Sequence, residues 1–141
     1  MKTFRLEAFS PERVFYSGEC VSLTFPLNDG LYGIMAGHTP FTAAVVPGEV
    51  SFVTPDGKRT VCAVSQGMIE IYGDSARLLC ESILLPEEIN EEKERREAEA
   101  AAEDMKGKQS YKDYMLSQIM LTKALNNLRV KRRDANKLNN D

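Results

Sequence analysis

The 141-residue chain has a net charge of −3 and a sequence pI near 5.3, so it lacks the overall basic field that non-specific nucleic-acid binding requires. It contains no run of about 18 apolar residues that could form a membrane-spanning helix, and residues 1–7 lack the apolar core of a secretory signal. A hydrophobic share of 43% suits a globular protein of one domain, or one small domain with an appendage.

Composition divides the chain near Leu85-Pro86. Residues 1–85 are rich in Val, Ile, Phe, Tyr and Thr and are punctuated by Gly and Pro, whereas residues 86–141 contain no Trp or Phe, one Gly and one Pro. The first part holds six cations and nine anions and so carries the whole net charge; the second is balanced.

In chain order, residues 3–9 alternate, with Phe4, Leu6 and Ala8 on one face. Ser10-Pro11-Glu12-Arg13 reads as a turn, Val14-Phe15-Tyr16 as a short strand closed by Ser17-Gly18, and residues 20–25 as an alternating strand ending at Pro26. Asn28-Asp29-Gly30 turns the chain into a corner in which Gly30, Gly33 and Gly37 fall within eight positions, ahead of His38-Thr39-Pro40. Glycine at this density permits positive φ and close approach of another chain, and Pro40 pushes Thr39 towards extended geometry. Residues 41–46 are apolar and irregular. Thr54-Pro55-Asp56-Gly57 between residues 50–53 and 58–64 is a hairpin signal; Gln66-Gly67 and Gly73-Asp74 mark further turns. About ten short strands predict an antiparallel β-sandwich or barrel, hence an α+β chain whose first domain spans 1–85.

Residues 86–141 predict an antiparallel two-helix hairpin. Pro86 fits a helix start, and Glu87, Glu88, Glu91 and Glu92 oppose the positive end of its dipole. Glu91 with Arg95 and Glu92 with Arg96 form i,i+4 pairs, and Ala98, Ala101, Ala102 and Met105 give a thin apolar stripe. The segment 106–110 breaks the helix. The second helix begins near Tyr111 with Tyr114, Leu121, Leu125 and Leu128 on one face, and ends among Arg129, Lys131, Arg132, Arg133 and Lys137. Alanine methyls against leucines make a weak seam, so the hairpin is expected to need support from the sandwich or a partner and to be able to take two arrangements.

Catalytic signals are sparse. His38 is the single histidine, no phosphate-binding glycine motif precedes a helix, and the carboxylates at 87–92 read as a solvated helix start, so neither a catalytic residue nor a metal site is expected. Cys20, Cys62 and Cys80 read as structural thiols. The cations at 129–133 exceed what a helix dipole uses but lack interleaved aromatic residues, which argues against single-stranded nucleic acid and leaves lipid or an acidic protein surface open.

Four motifs in this order resemble those of one family. The corner Gly30-x-x-Gly33-Ile34-x-x-Gly37-His38-x-Pro40, the turn Ser65-x-Gly67-x-x-Glu70-Ile71, the strand Phe15-Tyr16-Ser17-Gly18 and the closing Ala124-Leu125-x-x-Leu128-Arg129-Val130 are similar to those of the epsilon subunit of the F-type ATP synthase of bacteria and chloroplasts. The resemblance implies a non-catalytic subunit of a rotary motor that couples proton or other ion flow to ATP synthesis. Its sandwich binds the gamma subunit and sits on the polar loops of the membrane c-ring. That role carries onto Gly30, Leu31, Tyr32, Gly33, Ile34, Gly37 and His38, with a more apolar contact than usual because Leu31 and Ala36 stand where the family often has an acid and a proline. The helical hairpin of many bacterial members opens towards the catalytic head and inhibits ATP hydrolysis through acidic segments of the alpha and beta subunits. Lys123, Arg129, Lys131, Arg132 and Arg133 are the matching residues here. Some members bind ATP through an Ile-Asp-x-x-Arg-Ala signature; this chain has Ile89, Asn90, Lys93 and Glu94 at those positions and Asn127 at a later arginine, so no cofactor is expected. The implied placement is peripheral, on the cytoplasmic face of a bacterial membrane, held there only through the complex. Two other readings of the residues alone remain: a free-standing sandwich adaptor with a basic helical tail, and a small hydrolase using His38.

Overall fold

The computed structural model describes residues 2–107 and 110–140, with side chains described as far as residue 137. Two compact units divide at Leu85/Pro86.

The first unit contains ten strands: β1 Phe4–Phe9, β2 Val14–Cys20, β3 Ser22–Leu27, β4 Gly30–Met35, β5 Phe41–Val45, β6 Gly48–Val53, β7 Arg59–Val64, β8 Gly67–Tyr72, β9 Ser75–Cys80 and β10 Ile83–Leu84. They form two five-stranded sheets, ordered β2-β1-β9-β8-β5 and β10-β7-β6-β3-β4. Alternation in β1 buries Phe4, Leu6 and Ala8, and from the facing sheet Leu23, Phe25 and Phe52 fill the same core. Seven of the eight strand pairings are antiparallel; β1 runs parallel to β9, with Arg5 opposite Ser75 and Phe9 opposite Leu79. No turn signal could reveal that pairing, because some 70 residues separate the two strands.

Three local expectations shift. β2 continues through Gly18 to Cys20, and residues 41–45 form a regular strand paired with β8. β3 does not stop at Pro26 but runs to Leu27, because the β6 ladder ends at Thr24 and β4 alone pairs the rest, so no hydrogen bond from β6 is lost at the proline. The Ser65-Gly67 motif is structural. An ideal Cβ on Gly67 would lie 2.1 Å from the Leu79 carbonyl oxygen and 2.7 Å from Cys80 Cα, so only glycine fits there. Ser65 Oγ accepts from the Ser82 amide at 2.7 Å, joining the β7–β8 link to the β9–β10 link. Cys20, Cys62 and Cys80 are buried free thiols, and burial pushes the Cys20 and Cys80 pKa values up to about 12, so both remain protonated.

The second unit opens with a 3-10 turn, Pro86–Glu88, followed by α1 Glu91–Lys106 and α2 Tyr111–Asn140. The helix therefore starts five residues later than Pro86 suggests, because Asn90 caps it: Asn90 Oδ1 accepts from the Lys93 amide at 3.1 Å. Arg95 reaches Glu92 (i,i+3) at 4.0 Å rather than Glu91. Within the expected break, Gly107 caps α1, whereas Lys108 and Gln109 lie outside the described residues. Lys131 Nζ donates to the Pro86 carbonyl at 3.0 Å and Asn127 meets Glu94, so partners advance from the 3-10 turn into α1 as they retreat along α2, which is antiparallel pairing.

The face of α2 differs from the leucine stripe. Tyr114 and Leu125 are exposed and Leu121 and Leu128 half-buried, whereas Ser117, Ala124, Asn126, Asn127 and Val130 are buried. The register set by Glu94 and Asn127 puts Ala98 near the level of Ala124, with Ala101 about a turn farther along α1. Small side chains at those levels permit close helix approach, and the leucines move to the flank.

Candidate functional site

The glycine corner is built on β4, an edge strand. Gly30 has φ of 134° and Gly37 φ of 84°, both outside the range of other residues, whereas Gly33 is ordinary strand backbone paired with Thr24. Inward residues of β4 dock on β3, with Ile34 against Leu23 and Tyr32 against Phe25, and only Ile34 is buried. Outward-facing Leu31 is 70% exposed and Met35 64% exposed. His38 folds back onto this edge: its ring lies 5.7 Å from that of Tyr32 and 5.2 Å from that of Phe41. His38 Nδ1 is 2.7 Å from the Thr39 carbonyl and Nε2 is 3.3 Å from the Tyr32 hydroxyl. A neutral ring with its proton on Nδ1 donates to Thr39 and accepts from Tyr32, so both nitrogens serve the packing of the corner. The structure thus gathers Gly30, Leu31, Tyr32, Gly33, Ile34, Gly37 and His38 into one edge with exposed apolar groups.

A second exposed apolar patch escaped the sequence reading. On the outer face of the first sheet, Phe9 lies opposite Leu79 and Leu79 opposite Met68, beside a charged row of Glu7, Arg77 and Glu70. Phe9, Met68, Glu70, Arg77 and Leu79 line a shallow cavity of about 150 Å³. The signal was parity: Met68 shares the outward face with Glu70, and Leu79 with Arg77.

The five basic positions do not form one cluster. Arg129, Arg132 and Arg133 occur at i, i+3 and i+4 on an exposed stripe, and Arg129 donates to Asn126 Oδ1 at 2.6 Å. Lys131 points elsewhere, held by the Pro86 carbonyl, and Lys123 precedes the stripe by nearly two turns. At the start of α1, Ile89 is buried, the Asn90 side chain is spent on the cap, and Lys93 is exposed. No group of three or more His, Cys, Asp or Glu with metal-binding geometry occurs among the described residues.

Residues 3–86, which contain both sheets, match the family model for the ATP synthase delta/epsilon chain β-sandwich domain. The chain belongs to the ATP synthase delta/epsilon chain family. Curated relatives carry the match beyond the sandwich. The ATP synthase epsilon chain of Ruminiclostridium cellulolyticum is 33% identical over 89% of this chain and 92% of its own length, and that of Natranaerobius thermophilus is 31% identical over 88% and 89%. With relatives of that name along both units, the chain is an epsilon-type member of the family. Among solved structures, a chain of the Euglena gracilis mitochondrial ATP synthase shares the fold with a TM-score of 0.74 at 18% identity, covering 87% of this chain and 78% of that one. A chain of the Tetrahymena thermophila enzyme does so with a TM-score of 0.64 at 6% identity, covering 92% and 97%.

Proposed function

We propose that this chain works as a non-catalytic central-stalk subunit of an F-type ATP synthase, holding the gamma subunit to the c-ring so that ion translocation drives ATP synthesis. The observation that carries this reading is the family's sandwich, matched over residues 3–86, joined to a helical pair in a chain with epsilon-chain relatives along both units. The exposed corner of β4, with Leu31, Tyr32, Met35 and His38, suits the c-ring loops, and the row Phe9–Leu79–Met68 suits an apolar face of gamma. No helix among the described residues is long and apolar enough to cross a membrane. In this reading attachment runs through the complex, at the cytoplasmic face of a bacterial membrane. Arg129, Arg132 and Arg133 are the residues for inhibitory contact with acidic segments of alpha and beta. Lys131 joins them only when its bond to Pro86 breaks. With Asn90 spent on the cap and Glu94 near the start of α1, these positions do not favour a nucleotide.

The test is co-purification. A tagged chain should bring down the gamma subunit, and Leu79→Asp with Met68→Asp should reduce that capture at least tenfold while the chain stays folded. Capture of gamma unaffected by both changes would contradict the assigned face, and no capture by the unaltered chain would contradict the stalk role. Removal of residues 86–141 should raise ATP hydrolysis and leave assembly intact; unchanged hydrolysis would refute the inhibitory role.

A further inference from the structure

Glu94 lies in the first turn of α1 and is buried, only 6% exposed, and Asn127 on α2 is buried to 1%. Burial raises the Glu94 pKa above its ordinary value. The Asn127 amide opposes that, Glu97 adds to it, and Lys123 on α2 and Lys93 on α1 oppose it, without reversing the direction. Among the described residues, Glu94 Oε2 and Asn127 Nδ2 have no well-formed hydrogen bond. A carboxylate offers acceptors only, so against the Asn127 carboxamide it can use the Nδ2 donor alone. A neutral carboxylic acid can close both bonds, donating O–H to Oδ1 while its carbonyl accepts from Nδ2.

We propose that Glu94 is a proton-operated latch between the two helices: protonated, it pairs with Asn127 and holds α1 to α2; ionised, it leaves a buried charge that loosens them. The sign follows from linkage. The folded value exceeds the unfolded one, so the stabilisation is complete below the ordinary glutamate value of about 4.3 and is lost as pH rises through the raised value. Across that window one proton changes the closed-to-open ratio by at most about tenfold per pH unit. Alkalinity therefore favours the open pair. The latch is a property of the two-helix unit and stands apart from the assembly reading.

The full chain tests it. Carbon NMR of the Glu94 carboxyl should show titration above the ordinary glutamate range. Helical ellipticity at 222 nm, followed on heating between pH 5 and pH 8, should be lost at lower temperature as pH rises. Glu94→Gln keeps the amide pairing and removes the proton, so its melting should be insensitive to pH across this window relative to the unaltered chain. Asn127→Asp sets a second carboxyl against the first and should move the midpoint to higher pH. Four results would overturn the proposal: titration of Glu94 at or below the ordinary value, undiminished pH dependence in Glu94→Gln, an unmoved midpoint in Asn127→Asp, or a Glu94→Gln chain without stable helices at any pH.

Discussion

In the sandwich, the fully buried side chains are large and apolar: Leu6, Leu23, Phe25, Ile69 and Leu78 all have 0% exposure. In the helical unit the buried positions beyond Pro86, Ile89 and Val130 are, among the described residues, small or polar, namely Ala98, Ala101, Ala124, Ser117, Asn126, Asn127 and Glu94. Burial of apolar area supplies roughly 25 cal/mol per Å², so each sandwich residue contributes several times what an alanine methyl does. The sandwich accordingly suits a fixed anchor. The helices, joined by small contacts and a titratable pair, suit an element whose closed state exceeds its open state by only a modest margin.

The contrast can be broken from either side. The largest effects belong to the sandwich. Phe25→Ala should cost about 3–5 kcal/mol, and Gly67→Ala should cost a similar amount because its Cβ meets backbone on β9 rather than a movable side chain. Both are read as lower urea midpoints of the whole chain. In α2, Val130→Ala should cost about 2 kcal/mol, visible in the helical signal before the sheet signal. Removal of the α1 cap in Asn90→Ala should cost about 1 kcal/mol, again confined to the helices. Charge reversal at Arg95 should change helix stability by only a few tenths of a kcal/mol, because its 4.0 Å contact with Glu92 is exposed to water. If Val130→Ala or Asn90→Ala melted the sheets and helices together, the two units would have to be a single cooperative one.

The strands were legible because their signals are local. Alternation placed Phe4, Leu6 and Ala8 inward, and the Thr54–Gly57 turn, closed by a Gly57 amide bond to Thr54 at 2.9 Å, announced the β6–β7 hairpin. The parallel β1–β9 pairing and the passage of β3 through Pro26 were not legible, since both depend on which strand lies alongside. In α2 the leucines misled: periodicity reports hydrophobicity, whereas the register brought alanine, serine and asparagine to the buried face. The glycine corner was visible as composition, but its aromatic closure of His38 onto Tyr32 and Phe41 needed coordinates. The row of Phe9, Leu79 and Met68 was hidden for the same reason, because β1, which supplies Phe9, is distant in sequence from the β8–β9 hairpin that supplies the other two.

The difference in stability between the units is tested most directly by native-state hydrogen exchange on the full chain, compared amide by amide. Amides of β1, β3, β6 and β8 should exchange only through global unfolding, while those of α2 should exchange through a smaller opening at least tenfold more often. Equal protection in α2 and in the central strands would contradict a fixed anchor joined to a releasable pair of helices.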